Sequence, residues 1–187
     1  AKLSLLENIK QTKAAVEIAR SINPNILVEA EIGYIGSSSK LLDSLPEGAL
    51  TDESALPSAE MAKKFVSETG VDLLAPAVGN IHGMLKNMPN PRLKIHRIKE
   101  IAEVCGASLV LHGGSGIVDS DFTEAIEVGI RIIHINTEIR VAWRRGIGEG
   151  LSADVNEVIP YKILAPARQE VKKVVSNRLK LFNKISN

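Results

Sequence analysis

Two histidines stand where chemistry is concentrated. His82 lies in the run Gly79-Asn-Ile-His-Gly83, and His112 opens His112-Gly-Gly-Ser-Gly116, each run directly after an apolar stretch. Neutral imidazole is the commonest zinc ligand, and two histidines at strand ends leave room for a third ligand and an open coordination position, as catalytic zinc requires. Glu31 follows a third apolar stretch and offers an extra ligand or an anchor for a ligating histidine. The three glycines and the serine after His112 let backbone N–H groups close on an anion. Asp119 or Ser120 is the expected cap of a helix whose N-terminus would lie close by. Taken alone, HGGSG is equally a tight strand-to-helix turn, and either histidine alone is more simply structural. The pair in equivalent positions points to a metal.

These residues need elements to position them. Ser4-Leu-Leu-Glu7 has capping-box spacing, and Leu5, Ile9, Ala15, Val16 and Ile18 recur at helical intervals, which predicts a helix to about Ile22. A strand is expected to start at Ile26–Val28 and run to Gly33. A long polar stretch, 34–57, follows and reads as a mobile active-site loop. Helices are expected over 58–69, 93–104, 121–128, 137–151 and 165–183, the last of them long and basic. Strands are expected over 71–78, 107–111 and 130–135. Pro76 inside a strand predicts a bulge or a position whose N–H is not needed. Strand and helix alternate, which argues for a single parallel α/β domain over 1–187. Glu31, His82, His112 and the Asn136-Thr137 pair all fall just past predicted strand C-termini. A β/α barrel carries its chemistry at that end, and a doubly wound sheet places ligands similarly.

Composition excludes several classes. With 23 basic and 22 acidic side chains the formal charge is +1, and aromatic residues make up 3% of the 187. Nothing there favours nucleic acid, a base-stacking surface or an anionic membrane. The single cysteine, Cys105, excludes an internal disulfide and points to a reducing, cytoplasmic setting; beside Gly106 it reads as a buried, inert thiol. No apolar run approaches the ~18 residues of a membrane span. His96, between Lys94 and Arg97, reads as a surface residue.

The chain resembles the class II, zinc-dependent fructose-bisphosphate and tagatose-bisphosphate aldolases. The resemblance lies in VEAEIGYIG (28–36), GNIHGMLK (79–86), LVLHGGSGI (109–117) and INTEIRVAW (135–143), with MAKKFVSETGVDLL and ILAPARQEVKKVV between and after them. It implies a (β/α)8 TIM barrel of which this chain supplies about the last four β/α units and the C-terminal helices. It also implies reversible aldol cleavage of fructose 1,6-bisphosphate to dihydroxyacetone phosphate and glyceraldehyde 3-phosphate, in glycolysis and gluconeogenesis. On the same resemblance, His82 and His112 are zinc ligands, and Glu31 is the glutamate that approaches the metal and the candidate catalytic carboxylate. Gly83, Lys86, Gly113 and Ser115 hold a substrate phosphate or the Na+ or K+ near it. Asn136 and Thr137 add phosphate contacts, Arg140 reaches a substrate phosphate, and the protein is a homodimer or homotetramer.

Two departures accompany the resemblance. His134 stands where the family has a substrate-contacting asparagine, which bears on which sugar bisphosphate fits. The family's first zinc-ligand histidine and its adjacent catalytic aspartate lie on an earlier strand than any in these 187 residues. The sequence therefore reads as the C-terminal part of a longer protein, or as one completed by another chain, and inactive alone. Other readings are a tagatose-bisphosphate aldolase, a non-catalytic half barrel that binds metal or sugar phosphate, and an α/β domain that binds phosphate without metal. A Schiff-base aldolase fits poorly, because it needs a lysine at a strand end and Lys86 lies in a loop.

Overall fold

Ser4 begins the first ordered element: its Oγ accepts the Glu7 N–H, and helix α1 runs Leu5–Ile22. The structure, a computed structural model, describes residues 3–49 and 52–185. It divides into two compact units, 1–134 and 135–187.

In the first unit four short strands, β1 (Glu29–Ile32), β3 (Leu73–Pro76), β5 (Ser108–Leu111) and β6 (Ile130–Ile133), form one parallel sheet in that order. Helices α2 (Ala59–Thr69), α3 (Ile95–Val104) and α4 (Asp119–Val128) make the three crossovers. Within the four strands the order never reverses, so there is no switch point of the kind a doubly wound sheet uses. Leu109, Val110 and Leu111 are all buried, as befits a strand covered on both faces. Phe65 on α2, Ile98 and Ile101 on α3 and Phe122 on α4 are fully buried, each contributing about 1.5–3 kcal/mol of burial.

Several boundaries differ from expectation, each for a local reason. β1 starts at Glu29 rather than Ile26, because Ile26 and Leu27 are exposed and carry no ladder. Glu31 therefore lies within the strand, not past its end. The cap of α4 is Val118, which makes no side-chain cap bond, and Asp119 sits in the first turn. β6 ends at Ile133, so His134 lies just beyond it; its N–H donates to Leu111 O and its carbonyl accepts from Gly114 N. Pro76 is the last residue of β3. Leu73 donates to Val28 O just before β1 and Ala77 to Ile32 O at its end, so by alternation residue 76 faces β5, where the pairing has already ended at Leu74. Its missing N–H leaves no gap in a ladder. The register shift of this sheet lies elsewhere, between Leu109 and Val110 against β6.

The stretch 34–57 contains structure of its own. Strand β2 (Leu41–Leu42) pairs in parallel with β4 (Met84–Leu85), and a 3-10 turn covers Glu53–Ala55. Ile35 and Leu56, near its two ends, are buried against Ala77. Cys105 is buried, its Sγ 3.3 Å from Ala107 O.

The second unit is helical: α5 (Thr137–Ala153), a short α6 (Pro160–Ile163) that the sequence pattern did not show, and α7 (Ala165–Phe182). Helices α5 and α7 pack tightly at Gly146, where a Cβ would lie 2.3 Å from Ala167 Cα. Arg178 on α7 holds Glu138 in the first turn of α5 with two bonds of 2.7 and 2.8 Å. Among the described residues no helix is long and apolar enough to cross a membrane.

Candidate metal and active site

His112 follows β5 directly and points its ring at β1. Glu29 and Glu31 are two residues apart on that strand and so share a face. His112 Nδ1 lies 2.7 Å from Glu31 Oε1, and Nε2 lies 2.6 Å from Glu29 Oε1. Each ring nitrogen thus has its own carboxylate. The hydrogen bond to Glu31 is the main cause, with Glu29 adding, of a His112 pKa above the ordinary imidazole value, and half-burial only partly opposes it. The same bond holds the Glu31 carboxyl below its usual range, against the opposing effect of burial.

His82 arrives from the other side, and the base of the 34–57 stretch positions it. Its backbone N–H donates to Ile35 O (2.7 Å), and its Nδ1 lies 2.9 Å from Gly36 O. With Nδ1–H donating to that carbonyl, Nε2 is the nitrogen left to bind. Glu31, His82 and His112 each present one ligand atom, all within 4.8 Å of one another. Glu29, His112 and His134 form a second such set that shares His112. The His134 ring stacks on His112 with centroids 4.5 Å apart and planes 30° apart, and His82 lies 5.9 Å from His112.

Two imidazoles and a carboxylate are a donor set that zinc takes, and ligands at ~2.1 Å from a tetrahedral ion stand about 3.4 Å apart. Side-chain movements of about an ångström would therefore close Glu31, His82 and His112 on an ion. The residues fit.

Two buried asparagines hold the loops in place. Asn80 accepts the Val78 N–H (2.8 Å) and donates to His112 O (2.9 Å). Asn90 accepts the Leu85 N–H (3.0 Å) and donates to Gly83 O (2.9 Å) and Ser115 O (2.8 Å). Gly113 is required where these loops touch: its φ is +60° and a Cβ there would lie 2.2 Å from Ile81 O. Of the predicted residues, Glu31, His82, His112 and His134 come together, and Gly83, Gly113 and Ser115 lie in the two braced loops. Lys86 pairs with Asp43 across the β2–β4 ribbon at 2.8 Å. Asn136, Thr137 and Arg140 open α5 in the second unit, with Thr137 buried and Arg140 exposed. Residue types alone missed Glu29, Asn80 and Asn90. Only Glu29 carried a signal, its two-residue spacing from Glu31.

A sequence model of the family described as fructose-bisphosphate aldolase class-II matches residues 1–187. The chain belongs to that family. It is similar to a probable fructose-bisphosphate aldolase of Bacillus subtilis, 35% identical over 176 residues. A Staphylococcus aureus fructose-bisphosphate aldolase is 34% identical over the same length. Each match covers 94% of this chain and 58% of the relative, so the chain spans less than two thirds of their length. Among solved structures, the YdjI aldolase of Escherichia coli superposes with a TM-score of 0.70 at 30% identity, covering 96% of this chain and 56% of that one. A Campylobacter jejuni fructose-bisphosphate aldolase superposes at 0.74 with 19% identity, over 96% of this chain and 57% of that one, and speaks for the fold alone. The parallel α/β sheet is thus part of a TIM-barrel-type aldolase fold, as its motifs implied.

Proposed function

We propose that this chain carries the metal-binding part of a zinc-dependent class II aldolase that reversibly cleaves fructose 1,6-bisphosphate to dihydroxyacetone phosphate and glyceraldehyde 3-phosphate. The convergence of Glu31, His82 and His112 within 4.8 Å supports this reading above all. Zinc, when bound, acts as a Lewis acid on the ketose oxygens. The chain's own residues do the rest of what falls to them here. His82 and His112 each keep one nitrogen on a protein acceptor and turn the other toward the site. Glu31 supplies negative charge beside them and is our candidate catalytic carboxylate. Gly83, Gly113 and Ser115 present the two braced loops to a phosphate, with Na+ or K+ beside it. Lys86 reaches the phosphate by exchanging its exposed bond to Asp43, a pair worth about 0.2–1 kcal/mol. Asn136, Thr137 and Arg140 contribute further phosphate contacts, and His134 contacts the sugar.

The first metal-ligand histidine and the principal acid/base aspartate belong, in this proposal, to an earlier strand, and residues 1–187 alone are inactive. The stretch 34–57 is a mobile cover, and the protein is a cytoplasmic homodimer or homotetramer acting in glycolysis and gluconeogenesis. Among the described residues none of the strands carries a lysine that a Schiff-base route could use.

The test separates metal from catalysis. Zinc titration of the 187-residue chain should show one ion per chain, and Glu31→Ala or His82→Ala should weaken it at least tenfold. A protein that includes the earlier strands should cleave fructose 1,6-bisphosphate and lose that activity to a chelator. Tagatose 1,6-bisphosphate is assayed beside it, because His134 stacks directly on His112 where the family has asparagine. Chelator-insensitive cleavage would overturn the zinc reading, and absence of cleavage of either sugar would overturn the substrate class.

A further inference from the structure

Resting on the zinc reading above, we infer that Glu29 is the positioning residue of His112: it takes the Nε2–H and so commits Nδ1 to the metal. His112 has two nitrogens and two carboxylates competing for its orientation, Glu31 Oε1 at 2.7 Å from Nδ1 and Glu29 Oε1 at 2.6 Å from Nε2. A ligating imidazole binds through one nitrogen and donates its other N–H, and the acceptor fixes both tautomer and ring direction. Glu31 belongs to the set that includes His82, so the Nδ1 edge faces the ion. That leaves Nε2–H for Glu29.

The placement follows from the strand. Glu29 and Glu31 occupy alternate positions of β1, paired in register with Leu73 and Ala75, so the two carboxylates are about 7 Å apart along one face. An imidazole spans the gap between them edge to edge. The ladder therefore fixes the separation of the two acceptors before any metal arrives. His82 repeats the logic with a backbone acceptor, Gly36 O at 2.9 Å from Nδ1. The stacked His134 ring limits rotation of His112 about its Cβ–Cγ bond and leaves the in-plane direction to Glu29.

The experiment is zinc titration of the full chain against a chromophoric competitor, with wild type, Glu29→Gln and Glu29→Leu compared. Alongside, 15N NMR of the zinc-loaded wild type reports which His112 nitrogen keeps its proton. Wild type should bind one equivalent with Nε2 protonated. Glu29→Leu, which offers no acceptor, should bind about 10–100-fold more weakly at the same stoichiometry. Glu29→Gln keeps an acceptor oxygen and should recover most of that loss, which a purely structural role would not produce. Should Glu29→Leu fail to fold, the Gln variant and the wild-type spectrum decide. Wild-type affinity in Glu29→Leu, or a proton found on Nδ1, would overturn the inference while leaving the zinc reading intact. Two equivalents in wild type, one of them lost in both Glu29→Leu and His134→Asn, would make Glu29 a ligand of a second seat and overturn it too. A wild-type chain that takes no zinc would sink the zinc reading and this inference with it.

Discussion

Asn90 should be worth more to this protein than any residue whose type announces chemistry. Its amide makes three bonds inside the fold, to Leu85 N, Gly83 O and Ser115 O, and the residue is 4% exposed. Asn90→Leu keeps the branched four-atom side-chain skeleton, with somewhat larger terminal groups, and removes every polar atom. One buried N–H and two buried carbonyls then lose a partner, at about 1–3 kcal/mol each, with the carbonyls at the lower end because each has a second lone pair. The expected loss is about 3–6 kcal/mol. For a chain of this size each kcal/mol lowers Tm by about 2–4 °C, so melting should fall by roughly 6–24 °C. Urea unfolding followed by circular dichroism measures it directly, with exposed Met88→Ala as a control expected within about 0.5 kcal/mol of wild type. Asn90→Asp sharpens the test. One oxygen still accepts from Leu85, but the other now faces two carbonyl oxygens, so this variant should also be destabilised. An Asn90→Leu midpoint within about 1 kcal/mol of wild type would refute the claim that this amide braces the two loops.

Three further outcomes follow from the same packing. Gly113→Ala and Gly106→Ala both place a side chain at positive φ, +60° and +75°, but a Cβ at 113 meets Ile81 O at 2.2 Å while one at 106 meets nothing within 4 Å. Gly106→Ala should cost about 1–2 kcal/mol and Gly113→Ala clearly more by urea unfolding; equal losses would show that the backbone contact is not tight. Asp72 accepts the Val28 N–H at 2.8 Å, the main reason, with Arg20 adding, that its carboxyl sits below the usual range. A depressed folded pKa gives stability that is present above the unfolded value near ~3.9 and lost as pH falls through the folded one. Asp72→Asn should therefore melt lower than wild type at pH 7 and show a smaller drop between about pH 4 and pH 2; parallel acid curves would contradict this. Asp121 is buried and accepts from Leu93 N and the Arg92 guanidinium, so Asp121→Ala strands one buried N–H and should cost about 1–3 kcal/mol by the same assay. Arg92 is mostly exposed and is rehydrated rather than left as a buried charge.

Periodicity told most of the fold because burial repeats at the element's own period. Ile9 and Val16 on α1, and Leu109 to Leu111 on β5, are buried where the pattern put them. Helix starts marked by a serine are legible in sequence, Ser4 and Ser58 each accepting a backbone N–H. The cap of α4 differs from expectation because it is Val118, which has no polar side chain to signal it. The strand after α1 starts later than residue type suggests, because Ile26 and Leu27 look like strand residues, yet both are exposed and the pairing begins only at Glu29. Apolar type does not distinguish a ladder from an exposed approach to one.

That three-residue shift carries chemical weight. With β1 starting at Glu29, the Glu29-Ala-Glu31 alternation turns both carboxylates onto one face, where they meet both nitrogens of His112. Had the strand ended before them, neither would have a fixed direction. The histidines show the converse. Their type and their place after apolar runs are visible, but what orients them is not: backbone carbonyls, Ile35 O and Gly36 O, for His82, and for His112 the two β1 carboxylates on its ring with Asn80 on its carbonyl. A motif preserves the residues that touch a ligand and says little about carbonyls brought close by the fold. Side chains such as Asn80 and Asn90, which join those carbonyls, look in sequence like any loop asparagine. Their role exists only once two loops 25 to 32 residues apart are in contact.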